Sequence, residues 1–270
     1  MNNVKVLMIG DVVGKPGRRA LHDRLARIKS AHGVDFTVAN GENSADGFGI
    51  APAHVRELAD LGIDAITTGD HVWDRRELLP VFDAEERLLR PSNYPATVPG
   101  HGSAVYMTAS GNKIAVLDLQ GRVFMAKQIL DEPFAHAKRE VARLRELTPV
   151  IVVDFHGEAT SEKTALGWYL DGTVSAVAGT HTHVQTADER ILPGGTAYIT
   201  DLGMTGPCDG VIGLDRDRVI EKFVTQMGPK WAVAKGRVQV NGVVIDVDDK
   251  TGQASAIVRV NEVFEPSTAS

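Results

Sequence analysis

The chain has a single cysteine, Cys208, among 270 residues. It can therefore form no intramolecular disulfide and assemble no multi-cysteine zinc site, and a reducing cytoplasmic setting is expected. A basic excess is missing as well: 29 Lys and Arg stand against 35 Asp and Glu, a formal net charge of -6. A duplex nucleic acid is not an expected partner for such a surface. Small anionic substrates remain open if a metal supplies the positive charge. No apolar run approaches the length of a membrane span. The N-terminal run ending at Gly10-Asp11 is too short for a signal peptide and has no cleavage site.

What the chain does have is 43% hydrophobic content, enough for an ordinary core. Val6 to Ile9, Phe36 to Ala39, Ile63 to Thr67, Lys113 to Leu119, Val150 to Phe155 and Val174 to Ala178 read as buried strands. Helical patterns cover about Arg18 to Ala31, a segment opening at Pro52, and about Phe134 to Leu147. Arg237 to Val247 and Ala254 to Val263 flank an Asp248 to Gly252 turn, as in an antiparallel hairpin. The succession predicts an α/β layer protein with helices on the outer faces of its strands, forming one domain over residues 1–270. Segments 75–110 and 203–235 fit the rhythm least and are expected to form insertions or a small cap near the site.

Five of the six buried strands end in a polar cluster: Gly10-Asp11, Asn40-Gly41-Glu42-Asn43, Gly69-Asp70-His71, Asp154-Phe155-His156-Gly157 and Gly179-Thr180-His181-Thr182-His183. Strand ends are where α/β sheets build sites, and each cluster holds a glycine that permits a sharp turn. Together they offer three carboxylates (Asp11, Glu42, Asp70), up to four imidazoles (His71, His156, His181, His183) and the carboxamides of Asn40 and Asn43. Oxygen and nitrogen donors without thiolates suit Mn, Fe or a catalytic Zn. Three carboxylates with a bridging hydroxide balance two divalent ions better than one.

Taken singly, each cluster has a plainer reading. Gly-Asp after a strand is usually a turn, and His156 alone would be a histidine satisfied by backbone. His181 and His183, two apart on an extended segment, would point the same way and could chelate. Their joint occurrence carries the inference. His22, His32, His54, His101 and His136 are expected on the surface, and Cys208 in an ordinary loop. Trp73, Phe124 and Trp231 are aromatics that could grip a base, although such side chains more often belong to the core.

The ordered motifs resemble the calcineurin-like metallophosphoesterase superfamily. The likeness is closest to its small bacterial YmdB-type branch, through Ala39 to Asn43, His71-Val72-Trp73-Asp74, Asp154 to Lys163 and Gly179 to His183. The resemblance implies a β-sandwich of mixed sheets flanked by helices. It implies one metal on Asp11, Glu42 and His183 with Asn43 beside it, and a second on Glu42, Asp70, His156 and His181. Glu42 would bridge the two, and His71 would face the scissile phosphate as general acid or charge stabiliser. The implied activity is hydrolysis of small phosphodiesters, 2′,3′-cyclic AMP foremost, by a hydroxide held between the metals, with phosphomonoesters, phosphoproteins and a purely regulatory role as alternatives. Two metal ions, Fe or Mn with Zn or Mg also able to serve, and a homo-oligomer complete the expectation. The chain departs from the superfamily pattern at Val13, where many members have histidine, and at Asp70, where asparagine is usual. The extra charge of Asp70 predicts tighter metal binding at the second site.

Overall fold

The computed structural model describes residues 3–125 and 128–267. Among these residues thirteen strands and five α-helices succeed one another. Strand β1 (Asn3–Ile9) and the short β2 (Asp11–Val12) precede α1 (Gly14–His32), β3 (Phe36–Asn40), α2 (Pro52–Asp60) and β4 (Ala65–Thr67). A 3-10 turn at Arg76–Val81 leads to β5 (Ser103–Met107), β6 (Lys113–Gln120), α3 (Pro133–Arg145), β7 (Ile151–His156), α4 (Thr160–Leu170) and β8 (Ala176–Thr180). The chain closes through β9 (Arg190–Ile191), β10 (Ala197–Ile199), β11 (Met204–Pro207), α5 (Arg216–Thr225), β12 (Val238–Asp248) and β13 (Ala254–Phe264).

Local sequence explains the helix ends. Helix α1 stops at Gly33, whose φ of 65° makes a left-handed cap, with Lys29 and His32 in its last turn. Helix α3 begins with Pro133 after Glu132, whose carboxylate accepts the amides of Phe134 and Ala135.

Two mixed sheets face each other. One runs β2-β11-β12-β1-β3-β4 with β13 also on β12, and the other runs β5-β6-β7-β8-β10-β9. Strands β1, β3 and β4 are parallel, as are β6, β7, β8 and β10. The inner faces pack Val4, Val6, Met8, Phe36 and Val38 against Ile114, Val116, Val150, Val152, Ala176 and Ala178. The alternate residues Leu7, Ile9 and Ala39 turn outward under α1 and α2, and Ile151, Val153 and Phe155 outward under α3 and α4. The result is the expected α/β sandwich of mixed sheets flanked by helices.

The expected C-terminal antiparallel hairpin is present as β12 and β13, and β12 lies in the first sheet beside β1 over the register Asn3↔Asp248 to Ile9↔Gly242. Within the segments expected to form a cap, β5 pairs β6 and β11 pairs β12, so both contribute to the sheets.

The same alternation positions the site. Inner-face residues are apolar for most of each strand and become polar at the C-terminal end: Asn40 follows Val38, Thr67 follows Ala65, Asp154 and His156 follow Val152, and Thr180 follows Ala178. These polar ends meet across the sandwich at Asp154. Its carboxylate accepts the Thr180 hydroxyl at 2.7 Å, the Asn40 amide at 3.2 Å and the Thr67 hydroxyl.

Candidate metal centre

Beyond that polar seam, Glu42, Asp70, His156 and His181 each bring one ligand atom into a group whose members lie within 4.8 Å of one another. His156 Nε2 is 3.0 Å from Glu42 Oε1 and 3.2 Å from Asp70 Oδ1. His181 Nδ1 is 3.3 Å from Asp70 Oδ1 and 3.0 Å from His156 Nε2. Gly69 makes this approach feasible, since a Cβ there would lie 2.2 Å from the His156 ring.

Asp11 and His183 stand next to this group. The Asp11 carboxylate is fully buried, with Oδ1 3.8 Å from His183 Nε2 and Oδ2 accepting the His181 amide at 3.1 Å. Asn43 is buried, and its Nδ2 donates to the Gly47 carbonyl at 3.1 Å. Asp11 Oδ1 and Asn43 Oδ1 are buried with no hydrogen-bond partner. Buried acceptors of this kind call for a cation or another donor. With three carboxylates and three imidazoles around them, the donor set fits hard or borderline divalent metals.

The electrostatics point the same way. Burial pushes the Asp11 carboxyl above its ordinary range, against the pull of His183 and His156. For Asp70, burial acts upward but is outweighed by hydrogen bonds from His156 and His181, which hold the carboxyl far below the usual carboxylate range. Glu42 is lowered too, because His156 overcomes its desolvation. His156 is the counterpart: burial opposes its charge, yet the Glu42 and Asp70 carboxylates raise it well above an ordinary histidine. The carboxylates thus favour positive charge at their centre, which a proton on His156 or a cation can supply.

A second tier fixes these side chains. His156 Nδ1 lies 3.0 Å from Thr180 Oγ1, which is tied to Asp154. His183 Nδ1 donates to the Ile212 carbonyl at 2.8 Å, and His181 Nε2 meets Glu158 Oε2 at 3.1 Å. Such partners settle which ring nitrogen is turned inward. Both His181 and His183 are left-handed, with φ of 100° and 65° rather than on an extended segment. That conformation costs about 1–3 kcal/mol per residue. The Asp201 carboxylate offsets it by accepting the amide and hydroxyl of the intervening Thr182 at 3.1 and 2.8 Å.

His71 sits slightly apart. Its Nε2 is 3.9 Å from Asp70 Oδ2, and its Nδ1 is 2.6 Å from Asp74 Oδ2. Asp74 anchors Nδ1 and leaves Nε2 turned toward the centre. Both residues stood in the His71-Val72-Trp73-Asp74 motif, but only the i,i+3 spacing hinted at the pair. Asp74, Asp154, Glu158, Lys163 and Asp201 had no assigned role in the sequence reading. The histidines expected on the surface divide: His22 and His101 are exposed, while His32 is partly buried, His136 Nε2 meets Ser92 Oγ at 2.8 Å and His54 Nδ1 is buried. Amphipathic helices carry histidines into partly covered positions that polarity alone does not reveal.

A cavity of about 270 Å³ opens above the cluster, lined by Glu42, Asn43, His71, Glu158, His181 and His183 together with Val13, Gly47, Phe48, Thr182, Ile212 and Leu214.

Residues 7–260 match the family described as YmdB-like protein. The chain belongs to this family. It is 49% identical over 257 residues to the 2′,3′-cyclic-nucleotide 2′-phosphodiesterase of Bacillus subtilis (strain 168), covering 95% of this chain and 96% of that protein. Two solved structures align over 98% of the chain. One is a hypothetical protein of Thermus thermophilus (37% identity, TM-score 0.88, all of that chain). The other is a Mycoplasma pneumoniae protein described as a novel phosphatase (35% identity, TM-score 0.89, 95% of that chain). The likeness to the YmdB-like family therefore covers residues 7–260. No helix among the described residues is long and apolar enough to cross a membrane.

Proposed function

We propose that this chain is a metal-dependent phosphodiesterase acting on small cyclic nucleotides, 2′,3′-cyclic AMP foremost. The observation that carries the reading is the His71–Asp74 pair beside the Glu42, Asp70, His156 and His181 cluster, with His71, Glu42 and His181 lining one cavity. Identity of 49% to the Bacillus subtilis enzyme supports the substrate class.

The ligand assignment goes with the proposal: Asp11, Glu42, Asn43 and His183 would hold one ion, and Asp70, His156 and His181, again with Glu42, would hold the other. Iron or manganese suits this donor set, and zinc or magnesium can substitute. When bound, such a pair supplies Lewis acidity toward phosphate oxygens and activates a water. The protein's part is to seat the diester with its leaving oxygen facing His71 Nε2. As the water oxygen bonds to phosphorus and gives up a proton to solvent, the phosphorus–oxygen bond to the sugar breaks, and His71, when protonated on both ring nitrogens, passes its Nε2 proton to the departing oxygen while Asp74 holds the ring in place.

Charge favours diesters over monoesters. Among the described residues no lysine or arginine lines the cavity. A singly charged diester needs less compensation there than a doubly charged monoester. The half-exposed Glu158 carboxylate beside His181 and the net charge of -6 oppose a duplex polyanion. A cytoplasmic enzyme with an unpaired Cys208 belongs to the same reading, and so does a homo-oligomer, supported by Ile220, Phe223 and Val224 exposed along α5.

The test is a hydrolysis screen of cyclic and linear nucleotides on protein whose metals have been counted, with and without chelator. Turnover of 2′,3′-cyclic AMP that chelator abolishes is the expected result. Metal-replete protein inert to every phosphodiester would overturn the proposal.

A further inference from the structure

The wall of the cavity opposite in character to the metal cluster is apolar. Val13, Phe48, Ile212 and Leu214 line it, and the Gly47 backbone closes on Leu214, where a Cβ would meet Leu214 Cδ2 at 3.6 Å. None of the aromatics singled out from sequence is part of it. Trp73 packs into the core against Phe82 and Tyr94 at centroid distances of 5.3 and 5.5 Å, Trp231 lies under Lys222, and Phe124 points to solvent.

Two features of this wall stand out. Ile212 and Gly213 are the central residues of a two-residue turn closed by the antiparallel Val211–Leu214 bridge, which sets both in the left-handed region, φ 46° and 90°; the β-branched Ile212 side chain stays 47% exposed there. The turn fixes the backbone but does not call for isoleucine, because strain and exposure together run against packing. The Ile212 carbonyl accepts from His183 Nδ1 at 2.8 Å. The carbonyl does not explain the choice of isoleucine, since glycine or asparagine would present it without strain. Phe48 is the second feature. Its ring forms an edge-to-face pair with His71 at 5.0 Å and an interplanar angle of 73°, and it borders the same cavity. Arg75 grips the carbonyls of Ala45 and Phe48 at 3.2 and 3.3 Å, which fixes the loop before any ligand arrives.

We infer that Phe48 and Ile212 form the nucleobase subsite, stacking and covering the base of a nucleoside cyclic phosphate whose phosphate lies between His71 and the carboxylate–histidine cluster. A phosphate beside His71 brings the attached nucleoside to the ring next to it. The cavity is near the lower end of small-molecule sites in size, which suits a mononucleotide. Recognition by an aromatic face and an aliphatic cover tolerates every base, because each has a π-face, and favours purines through their larger area.

This inference rests on the phosphodiesterase reading, and one experiment separates the two. Specificity constants are measured for 2′,3′-cyclic AMP and for glycerol 1,2-cyclic phosphate, which has the same five-membered phosphate ring and no base. The wild-type protein reports on the reading itself. Phe48→Ala and Phe48→Trp report on the subsite: the ratio of nucleotide to baseless diester should fall about tenfold in the first, mostly through KM, and recover in the second. Ile212→Asn should lower the same ratio while keeping or raising thermal stability, because asparagine accepts the left-handed backbone. Equal losses on both substrates, or an unchanged ratio in Phe48→Ala and Ile212→Asn, would overturn the subsite. A wild-type protein that opens neither ring would overturn the phosphodiesterase reading and the subsite with it.

Discussion

Lys163 Nζ lies 2.6 Å from Asp201 Oδ2, and the two side chains are only 1% exposed each. Asp201 also accepts the amide and hydroxyl of Thr182, and its other oxygen accepts the Gly203 amide at 2.8 Å. The Gly203 carbonyl in turn accepts the Asp11 amide at 3.1 Å. One buried ion pair thus ties α4 to both the Asp11 turn and the strained His181–His183 loop.

Removing one partner of a buried pair leaves an uncompensated charge, which costs more than the pair itself contributes. Lys163→Met should therefore destabilise the protein by about 3–5 kcal/mol. Adding Asp201→Asn should restore part of that loss, since the orphaned charge goes too. Urea unfolding of the two variants checks this; a Lys163→Met protein as stable as the parent would show the pair to be incidental.

Asp70 bears on metal affinity. To the cluster it forms with Glu42, His156 and His181 it brings a charge that asparagine would not, and two imidazole nitrogens lie within 3.3 Å of its Oδ1. Ligand charge count tunes the affinity of oxygen-rich cation sites. Asp70→Asn should weaken binding at least about tenfold in a competition titration with a metal-sensitive dye. An unchanged affinity would show that charge at this position is not what holds the metal.

The sequence disclosed the site better than its supports. Asp11, Glu42, Asp70, His156 and His181 were legible because each follows an apolar run at a glycine-bearing strand end, a local pattern. Partners chosen by tertiary structure left no such trace. Hairpin periodicity identified β12 and β13 but could not say that β12 would lie against β1. Strand β5 has half-buried residues along most of its length and no alternation to read. Asp201 follows β10, a strand of three residues, too short to stand out. Phe48 lies in the Asp46-Gly47-Phe48-Gly49 turn, where glycines signal a loop and say nothing of the cavity it borders. The two-residue spacing of His181 and His183 suggested an extended chelating pair, whereas left-handed backbone turns them toward different carboxylates, Asp70 and Asp11.

His71 and Asp74 separate chemistry from binding. His71 is outside the four-residue cluster, so His71→Ala should keep its full metal count. Loss of proton transfer to the leaving oxygen should lower kcat by about 10²–10⁴. Asp74→Asn should produce a smaller loss with an altered pH–rate profile, because the ring remains but its orientation is no longer enforced. Elemental analysis beside steady-state kinetics distinguishes these effects; metal lost in parallel with activity would assign His71 to the ligands instead.

The metal-free protein should lose stability as pH rises, and bind metal more tightly over the same range. Burial raises the Asp154 carboxyl from 3.8 to about 6. A carboxyl raised on folding contributes stability that is full below 3.8 and is lost as pH climbs through about 6. His156 has the same sign for a different reason: burial disfavours its charge, but Glu42, Asp70 and Asp11 keep it protonated well above 6.5, so its contribution is full below 6.5 and disappears at higher pH. A cation entering between Glu42 and His156 must displace that proton. Apparent affinity should then rise with pH, by up to about tenfold per unit for as long as His156 stays protonated in the empty site, with close to one proton released per ion at this position. Calorimetric titration in buffers of different ionisation enthalpy counts the proton directly. A pH-independent affinity without proton release would mean that His156 is already neutral in the empty site and that the carboxylates share their charge some other way.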